Sequence, residues 1–130
     1  MPKSLYIFGA GETAFLAASY FGEGGRDIAG FVVDDKLSAE EFMGKSVFPW
    51  SDFLKVGSPG DAEFFVALSY KAMNRWRREK FLLVKEAGFH LTSYVHPSAS
   101  LARDVVIGEN CMLLENCVLQ SGARLGDNVH

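Results

Sequence analysis

The 130-residue sequence lacks the features that mark several specialised classes of protein. Its only cysteines, Cys111 and Cys117, stand alone without a second pair, which argues against a disulfide framework and against a zinc motif. No apolar run approaches the roughly 18 residues that a membrane-spanning helix needs. The N-terminus shows no cleavage-site pattern of a signal peptide. We therefore predict a cytoplasmic protein with no membrane partner and no metal.

The sequence also has little excess charge of either sign. The formal net charge is -3, from 13 basic and 16 acidic residues, so the chain exerts no long-range attraction on a polyanion. We expect no nucleic-acid partner, and any bound phosphate must be held by local geometry. The length and the 48% apolar content suit one domain with a real core, or one domain and a fragment of another.

Apolar strands alternate with amphipathic stretches up to about Thr92, which predicts an α/β domain around a mostly parallel sheet. The predicted strands are residues 5–8, 28–33, 64–68 and 89–95. The predicted helices are residues 12–21 and 71–87. Between Lys36 and Asp61 glycines and prolines interrupt the pattern, and only a short helix near residues 50–54 is expected there.

A glycine-rich turn, Gly9-Ala10-Gly11, lies between the first strand and the first helix. Glycines let the backbone approach a phosphate, whose charge is met by free amides at the start of the helix. The alternative is a tight turn without a ligand. Glu12, the next residue, argues mildly against a dinucleotide pyrophosphate because its carboxylate would repel it.

Acidic and polar residues follow two other predicted strands. Asp34 and Asp35 come after the second strand, 23 and 24 residues after Gly11 in the sequence. This spacing is typical of an acidic residue that contacts a ribose or a base. Their alternative is a solvated turn. Leu68, Ser69 and Tyr70 end the third strand, at the edge where open α/β sheets bind ligands.

The helix after the third strand begins with a basic run. Arg75, at its start, is placed to help neutralise a diphosphate. Arg77, Arg78 and Lys80 are expected on the solvated face of this helix. Among the histidines, His90 is expected to be structural, and so is His96 despite its place at the domain junction.

From Leu101 onward the sequence has a period of six residues. Aliphatic residues recur at Leu101, Ile107, Leu113, Leu119 and Leu125. Small or β-branched residues follow at Val105, Cys111, Cys117, Ala123 and Val129. Residues that tolerate positive φ stand between them at Asp104, Asn110, Asn116, Gly122 and Asn128. The period predicts short strands joined by left-handed corners around a three-walled prism.

These features together resemble one protein family, the sugar O- and N-acyltransferases related to sialic acid O-acetyltransferase and bacillosamine N-acetyltransferase. The resemblance is carried by the order of the motifs Tyr6–Gly11, Val33–Asp35, Phe65–Leu68, His96–Ala99 and the hexapeptide run. It implies a Rossmann-like domain, residues 1–95, followed by a left-handed parallel β-helix from residue 96. It also implies binding of a UDP-sugar or similar nucleotide-sugar in the first domain, acetyl-CoA as acyl donor, and a homotrimer.

The resemblance places the catalytic histidine beyond the last residue, His130. The chain is therefore expected to be the nucleotide-sugar-binding half of a longer enzyme, cut short before that histidine and inactive alone. Two other functions stay open from the residues: an NAD(P)-binding oxidoreductase that uses the same glycine-rich turn, and a non-catalytic nucleotide-binding module.

Overall fold

The computed structural model describes residues 3–34, 41–68 and 75–129, and for Arg75 and Trp76 it describes the backbone alone. The chain forms two compact units, Met1–Leu91 and Thr92–His130. In the described parts, strands of the first unit run to six residues, whereas every strand of the second has two. The change in sequence period is thus matched by a change in strand length.

Within its described residues, the first unit contains a six-stranded sheet and three helices. Its strands are β1 (Ser4–Phe8), β2 (Ile28–Val33), β3 (Glu41–Phe42), β4 (Lys45–Pro49), β5 (Ala62–Val66) and β6 (His90–Leu91). Its helices are α1 (Glu12–Glu23), α2 (Trp50–Val56) and α3 (Arg75–Glu86). The strand order is β3-β4-β2-β1-β5-β6, and only the β3–β4 pair is antiparallel. The predicted α/β domain with a mostly parallel sheet is confirmed.

Helices cover both faces of this sheet, which explains why the buried parts of its central strands, residues 7–8, 31–33 and 64–66, are apolar on both faces. Successive side chains of β5 point to opposite faces. The ring of Phe65 meets Phe21 of α1, with centroids 5.3 Å apart. The ring of Phe64 meets Phe53 of α2 at 5.2 Å, within a cluster of aromatic side chains on that face. Both faces of β5 are therefore excluded from water.

A hairpin lies in the stretch for which the sequence predicted only irregular structure and a short helix. Strands β3 and β4 are joined by Met43 and Gly44, both with positive φ (52° and 75°), as a two-residue hairpin turn requires. The strands escaped the sequence analysis because β3 has two residues and β4 ends in Pro49. The predicted short helix is present as α2.

The last predicted strand, residues 89–95, is wrong as a single element. The structure has two short strands there, β6 (His90–Leu91) and β7 (Tyr94–Val95). Strand β6 pairs with β5 inside the first unit, whereas β7 pairs with β10 (Met112–Leu113) inside the second. The apolar run is thus divided between two sheets, and the two compact units meet in sequence between its halves.

The second unit consists of short parallel strands that repeat every six residues. Besides β7 and β10 they are β8 (Ser100–Leu101), β9 (Val106–Ile107), β11 (Val118–Leu119) and β12 (Arg124–Leu125). Each pairs with the strand three places along, β7 with β10, β8 with β11 and β9 with β12. Leu101 thus lies beside Leu119, and Ile107 beside Leu125. The chain passes three six-residue sides before it returns to the same wall.

Four of the five predicted corner residues have positive φ: Asn110 (55°), Asn116 (61°), Gly122 (86°) and Asn128 (65°). The prediction for the fifth, Asp104, is wrong, because its φ is not positive. Its carboxylate instead accepts hydrogen bonds from the Ser121 hydroxyl (2.8 Å) and the Gly122 amide (2.9 Å) of the next coil. Asp104 therefore links two coils through its side chain.

Candidate functional site

The candidate site lies where β1 and β5 end side by side. From β1 the chain turns through α1 to β2, and from β5 it continues through α3 to β6 on the other side of the sheet. The strand order reverses direction between β1 and β5, and in open parallel sheets the crevice beyond such a point is where ligands bind. The glycine-rich turn follows β1 directly, so the sheet places it at this crevice.

Gly9 can only be glycine in this backbone. Its amide donates to the Val32 carbonyl (2.8 Å), which extends the pairing of β1 with β2, and its φ is +133°. A Cβ atom on Gly9 would lie 2.5 Å from the backbone oxygen of Ala67, just after β5, and 3.2 Å from the side chain of the buried Leu68. The tight packing of these three strand ends therefore depends on a missing side chain.

Gly11 has a different role from Gly9. It is the N-cap of α1, with extended backbone (φ -115°), and a Cβ there would have no atom within 4 Å among the described residues beyond its own neighbours in the chain. The first intrahelical bond joins the Phe15 amide to the Gly11 carbonyl (2.9 Å), so the amides before Phe15 precede the helical pattern and face the space beside Gly11. This open space at a helix start suits a phosphate group. Ala10, between the two glycines, is half-buried.

Asp34 follows β2, next to β1, and its carboxylate is engaged within the chain. Its Oδ1 lies 2.5 Å from Nζ of Lys80 on α3, and both side chains are mostly covered, with 29% and 17% of their surface exposed. Asp34 is therefore not a solvated turn residue. The position of Asp34 after a predicted strand marked it as a candidate, whereas nothing in the sequence pattern pointed to Lys80 as its partner.

The expectation that Arg77 and Lys80 lie on a solvated helix face is wrong. Arg77 is 4% exposed, and Phe81 and Val84 are buried beside it. Residues four and seven places apart share a helical face, so the apolar stripe at Phe81 and Val84 extends back to Arg77, a spacing that could have been read from the sequence. Arg78 is exposed, as expected.

Several predicted site residues lie outside the described part of the chain. These are Asp35, Ser69 and Tyr70, together with the side chain of Arg75. Their proposed contacts with a nucleotide stay predictions.

His90 lies at the opposite end of the sheet from the glycine-rich turn. It pairs in register with Glu63 near the start of β5, and its Nε2 is 3.7 Å from Oε2 of Glu63. Oε1 of the same carboxylate forms an ion pair with Arg26, which also donates to the Lys3 carbonyl (2.9 Å). These contacts join strand ends at the amino edge of the sheet.

His96 belongs to a turn in the second unit. Its Nδ1 accepts the Ser98 amide (3.0 Å), so the Ser98 hydroxyl must donate to the same nitrogen (2.9 Å). The hydroxyl oxygen in turn accepts the Asn116 amide of the next coil (3.0 Å). One nitrogen of His96 is thus used to hold two coils together.

A shallow cavity of about 190 Å³ lies away from the candidate site. It is bordered by Gly22 near the end of α1 and by Ile28, where β2 begins, which places it at the amino edge of the sheet. Within the described ranges no three histidine, cysteine or acidic side chains come together as a metal site. The helices of those ranges are all too short or too polar to cross a membrane.

No protein-family model and no curated protein matches the chain. Several solved structures match it over 98% of its length, among them the following two. One is a mutant of perosamine N-acetyltransferase from Caulobacter crescentus in complex with CoA and GDP-perosamine (TM-score 0.82, 23% identity, 59% of that chain covered). The other is the acetyltransferase domain of PglB from Neisseria gonorrhoeae FA1090 in complex with acetyl coenzyme A (TM-score 0.80, 25% identity, 60% covered). Both are acetyltransferases.

These structures share the fold of the present chain and agree with the resemblance to sugar acyltransferases that the sequence motifs carry. The chain spans 59% and 60% of their lengths. The order of the motifs, from Tyr6–Gly11 to the hexapeptide run, therefore predicted the kind of fold that these structures share.

Proposed function

We propose that the first unit binds the nucleotide of a nucleotide-linked sugar at the crevice beyond β1 and β5. The observation that carries the proposal is the pair of glycines. Gly9 lets three strand ends approach closely, and among the described residues none fills the space beside Gly11 at the start of α1. The amides there would hold a diphosphate. A match of fold to an enzyme solved with GDP-perosamine supports a nucleoside diphosphate sugar as the ligand.

The second unit is proposed to begin a left-handed parallel β-helix that takes acetyl-CoA in the whole protein. Pairing between strands eighteen residues apart, as in Leu101 with Leu119, supports the coil. The structures solved with CoA and acetyl coenzyme A support the donor. A homotrimer, on the resemblance alone, and a cytoplasmic location, expected from the sequence, complete the proposal.

The proposed reaction is acetyl transfer to an amino or hydroxyl group of the sugar. The acceptor nitrogen or oxygen forms a bond to the acetyl carbonyl carbon, and the bond between that carbon and the CoA sulfur breaks. A general base takes the proton of the acceptor, and the departing thiolate is protonated. His90 is not assigned as the base, because it lies at the opposite end of the sheet from the glycine-rich turn, and His96 is not, because its Nδ1 accepts hydrogen bonds within its own turn.

Calorimetric titration of the 130-residue chain tests the nucleotide site. We expect GDP, UDP or the corresponding nucleotide-sugars to bind with 1:1 stoichiometry, and NAD to bind much more weakly. Binding of NAD without binding of any nucleoside diphosphate would overturn the proposal in favour of a nicotinamide-dependent oxidoreductase. Nucleotide binding by a whole protein that transfers no acetyl group from acetyl-CoA would indicate a non-catalytic module.

A further inference from the structure

The ion pair between Asp34 and Lys80 joins the two sides of the candidate crevice. Asp34 follows β2, whereas Lys80 lies on α3, which packs on β5 and β6. Strand β1 separates β2 from β5 in the sheet. Neighbouring strands are about 4.8 Å apart, so the pair bridges roughly two strand spacings. It therefore spans the strand that carries the glycine-rich turn.

The cation in this pair is held in place by the packing of its helix. Val84 lies one turn after Lys80 on α3 and is 0% exposed, and Phe81 is 5% exposed; both belong to the core of the first unit. The Lys80 side chain is itself 17% exposed, and its Nζ is 2.5 Å from Oδ1 of Asp34. A lysine on a fully exposed helix face samples many side-chain conformations, and the entropy lost by holding one of them offsets most of the stabilisation from an ion pair. Here the helix position fixes the direction from which the ammonium group approaches.

The ion pair bears on the electrostatic repulsion between Asp34 and a ligand at the proposed nucleotide site. An acidic residue at the carboxyl edge would repel a diphosphate, because both are negative and the site is partly shielded from water. We propose that Lys80 neutralises Asp34, and that this neutralisation is what lets the crevice accept a ligand with two phosphate groups. The inference rests on the proposed function and names a residue that tunes it.

Neutralisation leaves Asp34 able to bind a ligand. A carboxylate has two oxygens with about four lone-pair positions, and the Lys80 contact uses one of them. A hydroxyl or an N–H of a nucleoside can therefore still donate to Asp34 while Lys80 stays in place. Lys80 acts through Asp34 and is a positioning residue.

The test compares the affinities of one nucleoside's mono- and diphosphate for the wild-type chain and for Lys80→Met. Methionine keeps much of the length of the side chain and removes the charge. We expect the Kd of the diphosphate to rise about tenfold, which corresponds to 1.4 kcal/mol, and that of the monophosphate to rise less. Arg78→Met, which removes a cation from the exposed face of the same helix, should change neither Kd by more than about twofold.

Asp34→Asn provides the second arm. The amide keeps an acceptor oxygen but has no charge, so the single variant should bind the diphosphate at least as tightly as wild type. In the Lys80→Met background it should restore most of the lost affinity. An equal weakening of both nucleotides by Lys80→Met, or no rescue by Asp34→Asn, would show that the pair only stabilises the fold. Failure of the wild-type chain to bind any nucleotide would instead refute the proposed function.

Discussion

Asn110 and Asn128 occupy the same corner of successive coils, and Nδ2 of Asn110 donates to Oδ1 of Asn128 over 2.7 Å. Both residues have positive φ, and Asn110 is fully buried. Asparagine therefore does two things at this corner: it tolerates the left-handed backbone, and its side chain bonds to the coil above. A glycine would supply the first property and lack the second.

Asn110→Gly should destabilise the second unit by about 1–2 kcal/mol, because the Asn128 side chain loses a buried partner. Asn116→Gly is the matched control, since Asn116 has φ 61° and an exposed side chain, and glycine there should be close to neutral. Amide hydrogen exchange of Tyr94 and Met112, both in the strands of this unit, measures the difference. Equal protection in the two variants would mean that the side-chain bond contributes nothing.

Gly9→Ala should destabilise the first unit by about 2 kcal/mol or more, since the new Cβ meets the Ala67 carbonyl and φ is strongly positive. Gly11→Ala, two residues on, meets none of the described side chains and has a negative φ, so it should cost far less. Urea unfolding followed by tryptophan fluorescence, to which Trp50 in the aromatic cluster contributes, compares them. Similar midpoints for both variants would contradict the role assigned to Gly9.

The features that sequence predicted best were those set by local backbone geometry. Asn116 and Gly122 lie at corners with positive φ, which few residue types tolerate. The recurrence of those residue types every six residues therefore predicts the corners from the sequence. Asp104 departs from this pattern: its φ is not positive, and its carboxylate accepts hydrogen bonds from Ser121 and Gly122 of the next coil. Those partners are distant in sequence, so the six-residue period alone could not reveal them.

The candidate site shows the same division between local and long-range effects. The glycine-rich turn followed from Gly9 and Gly11 together with the strand before them. Lys80 was assigned to solvent because charged residues usually lie there, whereas its actual position depends on Asp34, which is 46 residues away. A long-range pair of this kind can be predicted only when the order of the strands in the sheet is known, and the sequence patterns did not predict that order.

The Asp104 carboxyl should show an acid-dependent contribution to the stability of the second unit. The hydrogen bond from Ser121 is the main cause that lowers the pKa of Asp104 below its ordinary value of 3.8. A lowered pKa in the folded state means that the contribution is present above 3.8 and is lost as the pH falls through the folded value. Carboxyl resonances followed by NMR from about pH 6 to pH 2 measure this pKa.

Ser121→Ala removes the donor and should move the pKa of Asp104 back towards 3.8. Asp104→Asn should abolish the loss of stability on acidification that belongs to this site, while the amide oxygen can still accept from Gly122. An unchanged Asp104 titration in Ser121→Ala would mean that the hydroxyl does not hold the carboxylate in solution.

Gly11→Asp should separate ligand binding from folding at the glycine-rich turn. Aspartate is a good N-cap, so α1 should be unchanged or a few tenths of a kcal/mol more stable. The same carboxylate would fill the open space over the helix start and repel a diphosphate, so we expect the Kd of the nucleoside diphosphate to rise at least about tenfold.

Gly11→Asn fills the space without charge and should cause a smaller loss. Gly60→Asp, which adds a carboxylate at another open and exposed glycine, should leave the affinity unchanged. If Gly11→Asp binds nucleotide as wild type does, the phosphate does not lie at the start of α1.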